Sequence, residues 1–158
     1  ERQIGVAILP GGVDGAPEKT GYCPRAFPAA DDASPTNVAG YTPRGNVRRW
    51  ARNCTDPVPG RGVTIVRLDT GEIIRHFGRT QDVPKSISDA GVVKQSPFDS
   101  PIVGTPVVYP QITGAVAQKI YVGDADGTLW RIDVSSSDIT KWKVDLFADL
   151  IPAGGGYF

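Results

Sequence analysis

The sequence predicts an all-β chain: a partial β-propeller of about two four-stranded antiparallel blades, with one long disulfide-stapled insertion. Three observations carry this reading. Residues 119–147 read as three short strands joined by two polar turns. A second, similar unit precedes them. The composition, with 19 Gly and 14 Pro in 158 residues and no long helical period, is that of a turn-rich β protein.

In residues 119–147, Ile120, Tyr121 and Val122 form the first apolar run. Gly123-Asp124-Ala125-Asp126-Gly127 follows as a turn, because Asp caps a hairpin with its side chain and Gly accepts positive φ. Thr128 to Val134 is rich in β-branched and aromatic residues and reads as the second strand. Ser135 to Thr140 is a second polar turn, and Trp142 to Phe147 a third strand. Residues 102–109 supply a fourth strand upstream. Four antiparallel strands in about 45 residues is the size of one propeller blade. Trp130 shares a strand face with Ile132 and Val134, which predicts its burial between two sheets.

The earlier unit is Thr64-Ile65-Val66-Arg67-Leu68-Asp69, which matches Thr128-Leu129-Trp130-Arg131-Ile132-Asp133 in chemical type at every position. Each copy continues into a turn and an apolar strand. In the first copy the turn is Thr70-Gly71, with Gly71 at the left-handed position, and the strand is Ile73 to Phe77. Repetition of the turn and strand with the six residues argues for an internal repeat.

Taken in order, Ile4 to Leu9 is an apolar strand ended by Pro10-Gly11-Gly12, placed like Ile120 to Val122 in the second unit. The first blade then spans residues 3–77 with an insertion at 13–60, where no period holds. A segment that long without its own pattern is commonly functional or disordered. Cys23 and Cys54 lie near its two ends in Pro/Gly-rich surroundings and read as one disulfide in an oxidising compartment. Arg44, Arg48, Arg49 and Arg52 gather around Trp50. They fit a solvated face with one packed Trp, and also a contact patch for an acidic partner or a glycan. Residues 78–100 read as a linker with a short helix near Ser86 to Gly91. The second blade takes 101–147, and 148–158 a flexible tail.

Composition excludes several functions. Lys plus Arg and Asp plus Glu are both 17, so the basic footprint of a nucleic-acid binder is missing. No run of 18 apolar residues offers a membrane span. A chain with no Met that opens on Glu1 is expected to be a piece of a longer protein. His76 is the single histidine, within a strand, and no nucleophile and base set or phosphate loop can be assembled, so no enzyme and no cofactor is expected. Asp124 and Asp126 raise a calcium reading, since alternating oxygen ligands open an EF-type loop. Position 5 would be Thr128 and position 12 Ser135, so a capped hairpin turn fits these two residues better.

VGTPVVYP followed by KIYVGDADGTLWRIDVSSSDITKW resembles the C-terminal β-propeller of PilY-type proteins, the tip adhesins and assembly factors of bacterial type IV pili. GVTIVRLDTGEIIRHF is similar to a preceding stretch of the same domain. Both resemble more loosely the quinoprotein-dehydrogenase-like repeat. The resemblance covers residues 3–9, 61–77 and 101–147. It implies a non-enzymatic, cell-surface role in pilus assembly and attachment, with pilus or minor pilin proteins and host or abiotic surfaces as partners. The family's longer Asp-rich calcium loop has no match here. An envelope scaffold that docks other proteins, or a fragment of a quinoprotein-like dehydrogenase, are the alternative functions.

Overall fold

The computed structural model describes residues 3–12, 22–24, 46–48, 54 and 56–151. Two four-stranded sheets dominate it. Strand β1 (Val6–Pro10) heads the first sheet, and a two-stranded ribbon of β2 (Tyr22–Pro24) and β3 (Asn46–Arg48) follows it in the chain. The first sheet continues with β4 (Val63–Arg67), β5 (Ile73–Gly78) and β6 (Val93–Gln95), in the order β1-β4-β5-β6. The second sheet is β7 (Val107–Tyr109), β8 (Lys119–Gly123), β9 (Thr128–Asp133) and β10 (Lys143–Asp149), a plain antiparallel meander in the order β10-β9-β8-β7. The only α-helix among the described residues is α1 (Lys85–Asp89).

The strands form where β-branched and aromatic residues alternate with polar ones, and the turns where glycine supplies positive φ. Gly71 and Gly127 both take that conformation, at φ 74° and 80°. Three features depart from the sequence reading. The segment 78–100, expected to be a linker with a short helix near Ser86 to Gly91, contains that helix as α1 but also β6, which pairs with β5 in parallel, so the first sheet is not wholly antiparallel. Its crossover is the helix, the connection a parallel pair needs. The strand expected over 102–109 is reduced to 107–109, because Pro101 and Pro106 remove donors, and Ile102 makes only an isolated bridge to Asp124. The last strand runs on to Asp149, into the stretch read as a tail.

Both sheets contribute to one apolar core. Val63, Ile65 and Phe77 come from the first, and Ile120, Val122, Trp130, Ile132, Val144 and Leu146 from the second. Trp130 is 0 % exposed, as its place beside Ile132 and Val134 predicted. Phe98 meets it edge-on, with ring centroids 5.5 Å apart. The sheets are also tied by the Arg75 guanidinium, whose Nη2 donates to the Ile139 carbonyl at 3.2 Å.

The internal repeat survives in three dimensions, and in more detail than the six-residue match required. Setting Thr64 on Thr128 makes β1, β4 and β5 the counterparts of β8, β9 and β10. Each β-bulge then falls at the same place. Ile65 and Val66 pair with Arg75 and Ile73, leaving Ile74 as the extra residue. Leu129 and Trp130 pair with Ala148 and Leu146, leaving Phe147. A bulge is a specific local geometry, so its recurrence in register marks two copies of one unit.

The burial of equivalent residues is opposite. Val63 and Ile65 are buried while their counterparts Gly127 and Leu129 are only half-buried. Trp130 and Ile132 are buried while Val66 is half-buried and Leu68 is 69 % exposed. Phe77 is buried, whereas Leu150, which stands where Phe77 does, is 70 % exposed. A two-fold axis between the sheets would bury the same residues in both, because its interface is isologous. Here one face of the first unit meets the opposite face of the second, so the two units stack head to tail.

Candidate functional site

The Asp124 turn is where the sequence placed its metal question. Asp124 is buried at the end of β8. Its Oδ1 accepts the N–H groups of Asp126 at 2.9 Å and Thr128 at 2.8 Å, closing the hairpin. Its Oδ2 accepts the indole Nε1–H of Trp130 at 2.9 Å. Burial pushes the Asp124 carboxyl up to about 6, against the pull of these three donors and with a further push from the Asp126 charge. The turn is therefore capped as its chemistry predicted, and it does one thing the sequence did not reveal: it holds the core tryptophan by its nitrogen. Asp126 is buried beside it. Among the described residues, no group of three or more His, Cys, Asp or Glu side chains is placed to hold a metal ion.

The insertion is the second place. Cys23 and Cys54 form a disulfide with Cα atoms 5.4 Å apart. Cys23 lies in β2, where it pairs with Val47 of β3, and Tyr22 pairs with Arg48. The ribbon is thereby joined covalently to the chain that returns toward β4. Of the predicted contact patch, the backbone of Arg48 is described as part of β3. Arg44, Arg49, Trp50 and Arg52 lie outside the described residues.

Where the insertion rejoins the first sheet, an ion pair fixes it. The Arg61 guanidinium makes two parallel bonds to the Asp82 carboxylate, from Nε at 2.7 Å and from Nη2 at 2.8 Å. Asp82 Oδ1 also accepts the Val58 N–H at 3.0 Å. Both side chains are almost wholly buried, at 4 % and 3 % exposure. A pair at that depth repays its desolvation only through such forked geometry and the extra N–H. Next to it the backbones meet closely: Gly12 N–H donates to the Ile102 carbonyl, and Ile102 N–H to that of Gly60. Gly60 has φ 79°, and a Cβ there would collide with the Gly12 carbonyl, so no other residue fits. His76 lies nearby, its Nδ1 2.9 Å from the Thr64 hydroxyl. Burial lowers its pKa, against an opposing pull from the Asp82 charge. Sequence reasoning missed Arg61 and Asp82. They stand 21 residues apart and belong to no local motif, so only their shared burial identifies them.

Two sheet faces remain uncovered by strands among the described residues. The outer face of the first sheet carries Leu9, Val66 and Leu68. That of the second carries Val107, Tyr109, Tyr121 and Leu129. Tyr121 meets Phe147 edge-on at 5.2 Å, and the Arg131 guanidinium lies 5.9 Å from the Phe147 ring centroid. What these places offer chemically is a capped turn, a stapled ribbon and broad half-apolar faces. No protein-family model, curated protein or solved structure matches this chain.

Proposed function

We propose that this chain is a stretch of a β-propeller that works by surface contact, within a pilus-associated surface protein of the PilY type. The observation that carries the propeller reading is the opposite burial of equivalent residues in two units with the same bulge. Sheets related in that way stack in one direction around an axis, which is the relation between neighbouring blades. The pilus assignment is supported by the resemblance of VGTPVVYP and GDADGTLWRID. The disulfide agrees with an oxidising compartment. No helix among the described residues is long and apolar enough to cross a membrane.

In this reading the contact surface is the insertion. Blades resemble one another because their strands pack on neighbours, and their individuality lies in their loops. The tight turn Asp124–Gly127 of the second unit is replaced in the first by residues 11–62, which carry both cysteines. A disulfide lowers the ordering cost of binding, Arg offers forked donors to carboxylates, and Trp offers a stacking face. The test is a paired comparison in the parent protein, scored for surface attachment and for piliation. Arg48→Ala with Arg49→Ala should reduce attachment, while Lys141→Ala, an exposed cation of the second unit, should leave it unchanged. Full attachment by the double variant would sink the insertion as the contact surface.

A further inference from the structure

Four of the ten large apolar side chains that stand exposed among the described residues gather at one end of the second sheet. Tyr109, Lys119, Asp133 and Lys143 pair across β7 to β10 and mark that end. From this row leave the hairpin loop 110–118 and the turn 134–142, joined where the Val134 N–H donates to the Gln118 carbonyl at 2.9 Å. Ile112 and Val116 on the loop are 69 % and 62 % exposed, Ile139 is exposed on the turn, and Tyr109 at the base of the loop. Every residue from Pro110 to Gln118 is uncharged. The loop also satisfies much of its own backbone. The Ala115 N–H donates to the Ile112 carbonyl at 2.9 Å, across a turn in which Gly114 takes φ 83°, and the Gln118 N–H donates to the Tyr109 carbonyl. A tip without charge, with its backbone bonds closed, loses little when it leaves water. Just below it, Lys119, Arg131 and Lys143 stand against Asp133 and Asp145, an excess of one positive charge, and in the turn Asp138 and Lys141 offset each other at 3.9 Å.

We propose that this end of the second sheet docks on a lipid bilayer, with the loop tip in the headgroup boundary and Lys119 and Lys143 near anionic headgroups. The size of the patch argues against a protein in that place. A stable protein interface takes about 20–30 residues from each side, and four apolar side chains on two turns do not make one. A bilayer needs no complementary shape, and its gain grows with each apolar side chain that enters and each cation near an anionic lipid. A tyrosine at the base suits the boundary, where the ring is apolar and the hydroxyl stays wet. The inference goes beyond the propeller reading, in which neighbouring sheets cover the faces and leave the strand ends free. The insertion leaves from the opposite end of the strands, between Pro10 and Val63, as the counterpart of the Asp124–Gly127 turn. Lipid and partner would therefore be held on opposite sides of the molecule.

Flotation with vesicles of phosphatidylcholine and phosphatidylglycerol in equal parts tests the proposal. The wild type should float with them, and more weakly with phosphatidylcholine alone or at high salt. Ile112→Asp together with Val116→Asp should lower the bound fraction about tenfold or more. The urea midpoint should not move, because both side chains are exposed and neither supports the core. Ile112→Trp should raise binding, since an indole favours the boundary. A wild type that stays with the unbound protein overturns the proposal. Flotation that the two Asp changes leave intact overturns it as well, and loss of attachment to a protein-coated surface by the same variant would then name a protein as the occupant. Flotation is scored on lipid alone and the Arg48 and Arg49 comparison on attachment and piliation. Failure here leaves the insertion reading standing, and failure there leaves this one.

Discussion

Two copies of one unit, in a single chain, have been filled differently. Trp130 of β9 has Val66 of β4 as its counterpart, and Asp124 has Leu9. In the second unit this face is covered, and it carries a large indole held by a carboxylate at 2.9 Å. In the first unit the face is open, and the same two positions hold a half-buried Val and an exposed Leu. The difference teaches that burial, rather than the repeat, decides what a position needs. A covered face must be filled to crystal-like density, and any polar atom taken inside must be bonded. Beneath an open face neither demand applies, and a β-branched residue satisfies the strand.

The sharpest way to break this comparison is to truncate both counterparts. Trp130→Ala removes a fully buried ring and leaves Asp124 Oδ2 without its indole donor. It should cost roughly 4–5 kcal/mol, near the top of the range for aromatic-to-alanine core changes. Val66→Ala should cost about 1 kcal/mol or less, because half its surface burial and no hydrogen bond are at stake. Urea melts of both variants against wild type give the two numbers. Equal losses would mean that the first unit's outer face is as tightly packed as the core.

The turn and the insertion differ in what holds them, and the disulfide measures that difference. Cys23 and Cys54 are 31 residues apart. Closing a loop of that length contributes about 3–4 kcal/mol by the chain-entropy account. Replacing both cysteines by Ser should lower the urea midpoint accordingly, while hydrogen exchange in β8 to β10 stays slow under native conditions. If the strands of the second sheet lose protection as much as the first sheet does, the staple supports the whole core rather than the insertion alone.

Much of this fold was legible in the sequence, for reasons that particular residues make plain. Alternation in Thr128 to Val134 and glycine at positions 71 and 127 write strand and turn into local chemistry. The two cysteines left one pairing to choose. What stayed hidden was non-local. Val93-Lys94-Gln95 has too little pattern to announce β6, and its strand exists because the edge of β5 offers it hydrogen bonds. Phe98 follows Pro97 in a polar stretch, and only the ring of Trp130 explains its burial. Arg61 and Asp82 read as two surface charges until the fold brings them together. For Asp124 the cap was legible from spacing, but the bond to Trp130, six residues on, was not.

That bond gives the covered face a pH dependence that the open face lacks. Asp124 has its carboxyl raised to about 6 by burial, against an ordinary unfolded value near 3.9. Between those values the folded chain holds a proton that the unfolded chain releases. Stability is therefore full below about pH 4, declines as pH rises through about 6, and levels off above it, by at most roughly 3 kcal/mol. Urea melts from pH 4 to 7 should trace that fall, and Asp124→Asn should flatten it. A rise in stability over the same window would mean that the three N–H donors outweigh burial at this carboxylate. Asp133 bounds the window from below. Burial opposes its ionisation, but the hydroxyl and N–H of Ser135 and the Lys119 ammonium pull it down to about 2. Its contribution is lost only as pH falls through the acid range below 4.

The smallest expected effect comes from the positions where the copies agree most. Arg67 and Arg131 are counterparts, as are Asp69 and Asp133, yet their shortest ion pairs differ. On the first unit Arg67 bonds Asp69, in the turn after β4, at 2.8 Å, with half of the Asp side chain in water, and lies 3.9 Å from the exposed Glu72, the counterpart of Asp145. On the second, Arg131 reaches across to Asp145 of β10 at 3.0 Å, and that carboxylate is 2 % exposed. Asp133 instead takes Lys119 of β8 at 3.0 Å. An exposed pair gains little, since water and salt screen it and two long side chains must be held still. Asp69→Ala should leave the urea midpoint unchanged, at low salt as at high. Asp145→Ala should lower it clearly, because Arg131 and Lys143 then lose a carboxylate that the sheet has already desolvated. Equal insensitivity at both sites would show that the carboxylate of Asp145 is as well hydrated as that of Asp69. A loss confined to Asp145 would show that identical residues have acquired different work through the strand that lies beside them.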